Sequence, residues 1–230
     1  MLPVIPIIFG IALAFIHYFS DRFELKDIVS KNKLVSFAAG ISITYIFLLL
    51  MPEVYAGVET LQQFLFIFIL AGFSVFHLIE KHIYQHESQE RLHEELRIAH
   101  SAMFFFYHLV IGILLVEIIE INMINGILFF IPIFFHTALS SASLKGIHVS
   151  LREQIIIKGI LSFSTLFGVL IAYTLAIPPA IQYSLLGFIV GSLLYIVIRD
   201  SVPKETEGKA IYFVLGVVLY AVIIGFTWFL

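Results

Sequence analysis

Long apolar stretches recur along the chain, at about 3–20, 34–51, 63–83, 101–121, 124–147, 156–177, 180–198 and 210–229, with short polar breaks between them. Each is long enough to cross roughly 30 Å of hydrocarbon as a helix, which takes about 20 residues. Within a stretch the apolar residues run on without alternation, as in "LQQFLFIFILAGFSVFHLIE". A membrane barrel would need short strands alternating apolar and polar, whereas a helix satisfies its backbone hydrogen bonds within one segment. The pattern predicts an all-α integral membrane protein of eight transmembrane helices, a single transmembrane domain over 1–230.

Composition agrees, with 60% hydrophobic and 13% charged residues and a mean hydropathy of +1.04, far above a water-soluble domain. The first stretch has no basic head and no small-residue cleavage signal, so a retained helix is expected. The chain has no cysteine, which excludes disulfides and thiolate metal ligands. No break is long enough to form a separate soluble domain.

The charges add an orientation. All 13 Lys and Arg residues fall in or beside alternate breaks, from Arg22 to Lys33, Lys81 to Arg97, Lys145 to Lys158 and Arg199 to Lys209. The intervening breaks, around "PEVYAGVET", "EIIEINMING" and "AIPPAIQ", have none. The positive-inside bias then predicts both termini outside and four basic loops in the cytoplasm, with a prokaryotic cytoplasmic membrane as the expected location.

Depth singles out polar residues. His108 and His136 lie inside the fourth and fifth stretches, where ionisable groups are costly and face a cavity or the bundle interior. His136, Ser140 and Ser143 follow at helical spacing and share one face. Ala138 and Ala142 form a small-residue surface, and with Gly112 they predict close approach of helices four and five, bringing the two histidines together. The plainer reading is that each histidine hydrogen-bonds a neighbouring helix. Glu53, His77, Glu80 and His82 close helices at the water boundary, where solvent can reach them. The cytoplasmic loop 84–100 holds His86, His93 and His100 at intervals of seven, which a helical extension would set on one side. A solvated polar helix is the simpler account of that loop.

These marks together resemble the ZIP family of divalent-metal transporters. "LLLMPEVY" is similar to that family's second helix closing in Pro-Glu, and "GSLLYIVIRDSVPKE" resembles its seventh. "YHLVIG" and "FFHTALSSASL" occupy the places of its fourth- and fifth-helix metal motifs. The resemblance implies a 3+2+3 arrangement of inverted three-helix units around a central pair. It also implies transport of a zinc, iron or manganese class cation toward the cytoplasm, with no tightly bound cofactor, no enzyme activity and no nucleic-acid partner. Expected partners are the lipid bilayer, the divalent metal and a second copy in a homodimer.

The motifs depart from the family at the ligands. The fourth-helix motif keeps His108, with Leu109 for the asparagine and Gly112 at the acid position. The fifth keeps His136, with Thr137, Ser140 and Ser141 where further ligands stand. No carboxylate remains, so His108, His136 and Ser140 form a reduced metal site; His86, His93 and His100 would at most gather metal at the inner face. The alternative is a pseudo-transporter that binds no metal and acts as a sensor, partner or carrier of another solute. An intramembrane hydrolase built on Ser140 or Ser141 lacks an acidic orienter.

Overall fold

The computed structural model describes residues 4–19, 28–139, 151–201 and 209–229. Among these there is no strand, and eight long helices follow in chain order. They are α1 (Val4–Phe19), α2 (Ile28–Tyr45), α3 (Phe64–His86), α4 (Gln89–Ile121), α5 (Met123–Leu139), α6 (Leu151–Thr174), α7 (Pro179–Ile196) and α8 (Ala210–Thr227). Six are long and apolar enough to cross a membrane, α2 counted with its continuation; α1 and α5 are shorter apolar helices. Large apolar side chains such as Ile8, Phe15, Leu70 and Leu219 are exposed on the outside of the bundle, a surface suited to lipid.

The stretch 84–100 is itself helical, not an open loop. α3 continues to His86 and α4 begins at Gln89. Ion pairs from Arg91 to Glu95, at 2.6 Å, and to Glu87, at 3.9 Å, bridge neighbouring turns there. At 33 residues α4 is about 50 Å long, so its first turns project beyond the hydrocarbon. At its far end only Asn122 separates it from α5. The Asn122 side chain accepts from the Ile124 and Asn125 amides at 2.8 and 3.1 Å, capping α5.

Helix pairing is set by glycines. A Cβ on Gly40 of α2 would collide with the Phe213 carbonyl of α8, and one on Gly216 of α8 with the Phe37 carbonyl of α2. The same reciprocal arrangement joins α3 and α7, where Gly72 faces the Phe188 carbonyl and Gly191 the Ile69 carbonyl. A third clasp joins α4 and α6 through Gly112 and the Thr165 carbonyl, and Gly168 and the Leu109 carbonyl. Among the described residues these are the most extensive helix contacts, with α1 packed on α6 and α5 touching α1, α2 and α4.

Two of the clasps are copies of one design. Phe37, Gly40, a π turn at Ile46–Leu50 and Pro52 recur at identical intervals as Phe188, Gly191, a π turn at Val197–Ser201 and, in sequence, Pro203. Proline lacks an amide hydrogen, and its ring collides with the carbonyl four residues back in an α-helix. For Pro52 that carbonyl belongs to Leu48, inside the π turn, where the Met51 amide bonds to Ile46 instead. The helix therefore passes the proline and continues over Met51–Ala56, further than the predicted boundary at 51. Pro132 inside α5 is handled differently. It leaves the Leu128 carbonyl without its intrahelical amide, and the Tyr220 hydroxyl of α8 donates to that oxygen at 2.6 Å.

Candidate functional site

His108 is fully buried, with 1% exposure, and its Nδ1 lies 3.1 Å from the Thr165 hydroxyl of α6. The α4–α6 clasp produces this contact: with no Cβ at Gly112, the backbone at Thr165 comes against α4 one turn beyond the histidine. Nε2 of His108 has no hydrogen-bond partner among the described residues. When Nδ1 donates its proton to Thr165, the lone pair rests on Nε2, the arrangement a metal ligand needs.

A third imidazole lies nearby. His17 of α1 stacks on Phe104 and His108 packs against the same ring at a tilt, at centroid distances of 4.3 and 3.9 Å. Nδ1 of His17 is 2.9 Å from the Ser162 hydroxyl, which donates its one proton to the Lys158 carbonyl at 2.7 Å. Ser162 therefore accepts from His17, whose Nδ1 carries the proton. The rule that marks His108 as a histidine at membrane depth also applies to "FIHYF" near the end of the first stretch, so His17 was within reach of the sequence.

His136 of α5 is buried at 6% exposure. Its ring meets Tyr107 edge-on with centroids 6.5 Å apart, and Tyr107 also contacts His108 at 5.2 Å. The two histidines thus flank one tyrosine, and no hydrogen bond or ring contact joins them directly among the described residues. The expected route to their meeting is also corrected, because Gly112 receives α6 and not α5. α5 approaches α4 elsewhere, where a Cβ on Gly126 of α5 would collide with the Ile119 side chain of α4. Ser140, with Ser141, Ala142 and Ser143, lies outside the described residues. The Tyr107, Tyr45 and Thr137 hydroxyls are buried without a hydrogen-bond partner among the described residues. Among the described residues, no group of three or more His, Asp or Glu is placed to hold a metal ion.

The histidines of 84–100 divide. His86 ends α3, stacks on His82 at 4.2 Å and has its Nδ1 2.9 Å from the His82 carbonyl. His100 is on α4, as is His93, whose side chain is outside the described set. The break at Glu87 and Ser88 interrupts the helix that the seven-residue spacing required, so the three do not share one helical face. His100 instead joins a polar cluster around the buried Glu80. Its Nε2 is 2.7 Å from Oε1 of Glu80 on α3, the Tyr195 hydroxyl of α7 donates to Glu80 Oε2 at 2.7 Å, and Arg199 forms an ion pair with Glu80. Nε2 of His100 also lies 2.9 Å from Nη1 of Arg199; it can donate to the carboxylate or accept from the guanidinium, according to tautomer. Arg199 sits on the second π turn. Counted only as one of the inner-loop charges, it gave no sequence signal of this role.

A search of the chain against protein-family models and curated proteins finds no match to either.

Proposed function

We propose that this protein is a ZIP-like membrane transporter. In this reading two inverted three-helix units flank α4 and α5 in a 3+2+3 arrangement, with both termini outside. Its cargo is a divalent cation of the zinc, iron or manganese class moving toward the cytoplasm, held at a reduced site by His108 and His136. The observation that carries the reading is the bare, buried Nε2 of His108, oriented by Thr165. A metal-bound histidine usually donates its second ring N–H to an acceptor, most often a carboxylate, carbonyl or water, and Thr165 takes that place here. The repeated Phe–Gly–π-turn–Pro design in α2 and α7, with its reciprocal glycine contacts to α8 and α3, supports the repeat architecture, in which binding sites lie between the units.

The site is poor in charge. Two imidazoles without a carboxylate leave a dipositive ion little compensated at mid-membrane, so binding is weak and the remaining coordination falls to water and hydroxyls. The unpartnered hydroxyls of Tyr107, Thr137 and Tyr45 favour a second reading, a carrier of the same fold for an uncharged hydrogen-bonding solute. Calorimetric titration with zinc, manganese and iron(II) tests the two. Metal binding predicts saturable heat that weakens as pH falls, because protons compete for the same lone pairs. It also predicts that His108→Ala and His136→Ala each remove most of the affinity. A flat titration of the parent protein sinks the metal reading.

A further inference from the structure

The Glu80 cluster has a partition that suggests a latch. Glu80 belongs to α3, and Tyr195 and Arg199 belong to α7 and its π turn. The α3–α7 pair is clasped through Gly72 and Gly191, and backbones in contact cannot slide without lifting over each other. The carboxylate, hydroxyl and guanidinium therefore form a fixed socket. His100 reaches it from α4, which is clasped to α6 instead. In the equivalent half of the repeat the socket is lost. Thr44 stands where Tyr195 does and returns its hydroxyl to the Gly40 carbonyl of its own helix, 2.8 Å away. Leu48 takes the place of Arg199. By the matching of Gly72 with Gly216, Ile224 takes that of Glu80, and it is as deeply buried.

We infer that His100 is a detachable latch that holds α4 against the α3–α7 pair at one end of the molecule; at the opposite end α4 meets α7 through a different bond, from the Gln182 amide to Glu117 at 2.6 Å. A hydrogen bond to a buried, ion-paired carboxylate is strong and directional. A site that opens to one side at a time would use it to favour closure at that end. The proposal rests on the transporter reading for its purpose, and its test needs no cargo.

The chain has no cysteine, so one introduced thiol reports on one place. Met103 is buried at 8%, three positions along α4 from His100 and on the same face. In detergent, Met103→Cys should react slowly with a maleimide. Adding His100→Ala should speed labelling at least about tenfold, the loss expected for a hydrogen bond to a charged group. Adding His100→Gln, whose amide can still donate to Glu80, should keep it slow. Leu128→Cys, buried at 3% in α5, serves as the reference and should not speed up with His100→Ala. Unchanged Met103→Cys labelling in the alanine variant overturns the latch. So does faster labelling at both thiols, which would mean that His100 holds the fold together. A flat metal titration alongside latch-dependent labelling removes the metal cargo and leaves the latch standing.

Discussion

At the scale of single residues, the buried hydroxyls divide into those that hold the fold and those that do not. Tyr220 donates to a carbonyl that Pro132 has left open, so Tyr220→Phe strands a buried acceptor. It should cost about 1–2 kcal/mol, read as a lower thermal midpoint. Tyr107 and Thr137 have hydroxyls without partners, so Tyr107→Phe and Thr137→Val should leave the ligand-free midpoint unchanged or raised. A drop of similar size in those variants would assign the hydroxyls a structural bond. The sequence made His108 and His136 legible because an ionisable group inside an apolar run is conspicuous. It did not reveal Tyr107 between them or Thr165 behind His108, since tyrosine and threonine in a membrane helix look the same whether they bond across helices, bond their own backbone or bond nothing.

At the scale of helices, the glycine clasps separate positions that composition treats alike. Gly112→Ala or Gly168→Ala places a methyl group against a carbonyl of the facing helix and should destabilise by about 1–3 kcal/mol or more, as overpacking does. Among the described residues nothing lies within 4 Å of where a Cβ on Gly159 or Gly225 would stand, so alanine there should be neutral or slightly stabilising, by about 0.5 kcal/mol. Thermal melts of the four variants check this; equal effects at all four would mean that the clasps are not closed in the folded protein. Helix positions were legible because hydrophobic length is a one-dimensional property of the chain. Partners were not: a glycine announces that some backbone comes close, and Gly112 fits α5 as well as α6 until the whole bundle is packed. The end of the second helix was also placed too early, at about 51, because a π turn lets α2 continue past Pro52 to Ala56.

At the scale of the whole molecule, the charge pattern predicts an orientation that labelling can test. Single cysteines near Glu59 should react with an impermeant reagent on intact cells, and those near Arg91 should react only after permeabilisation, since every Lys and Arg lies on one set of breaks. Reaction near Arg91 from outside would reverse the arrangement. The bond between Tyr220 and Leu128 also orders events in time. Its two ends are 92 residues apart, so at about 5–20 residues per second the ribosome makes the donor roughly 5–20 s after the acceptor. Throughout that interval α5 has an open carbonyl in a solvent with no water to fill it. The nascent chain thus holds α5 incomplete until α8 arrives, and a stop codon before Tyr220 should yield a product that quality-control proteases clear faster than the chain that includes α8.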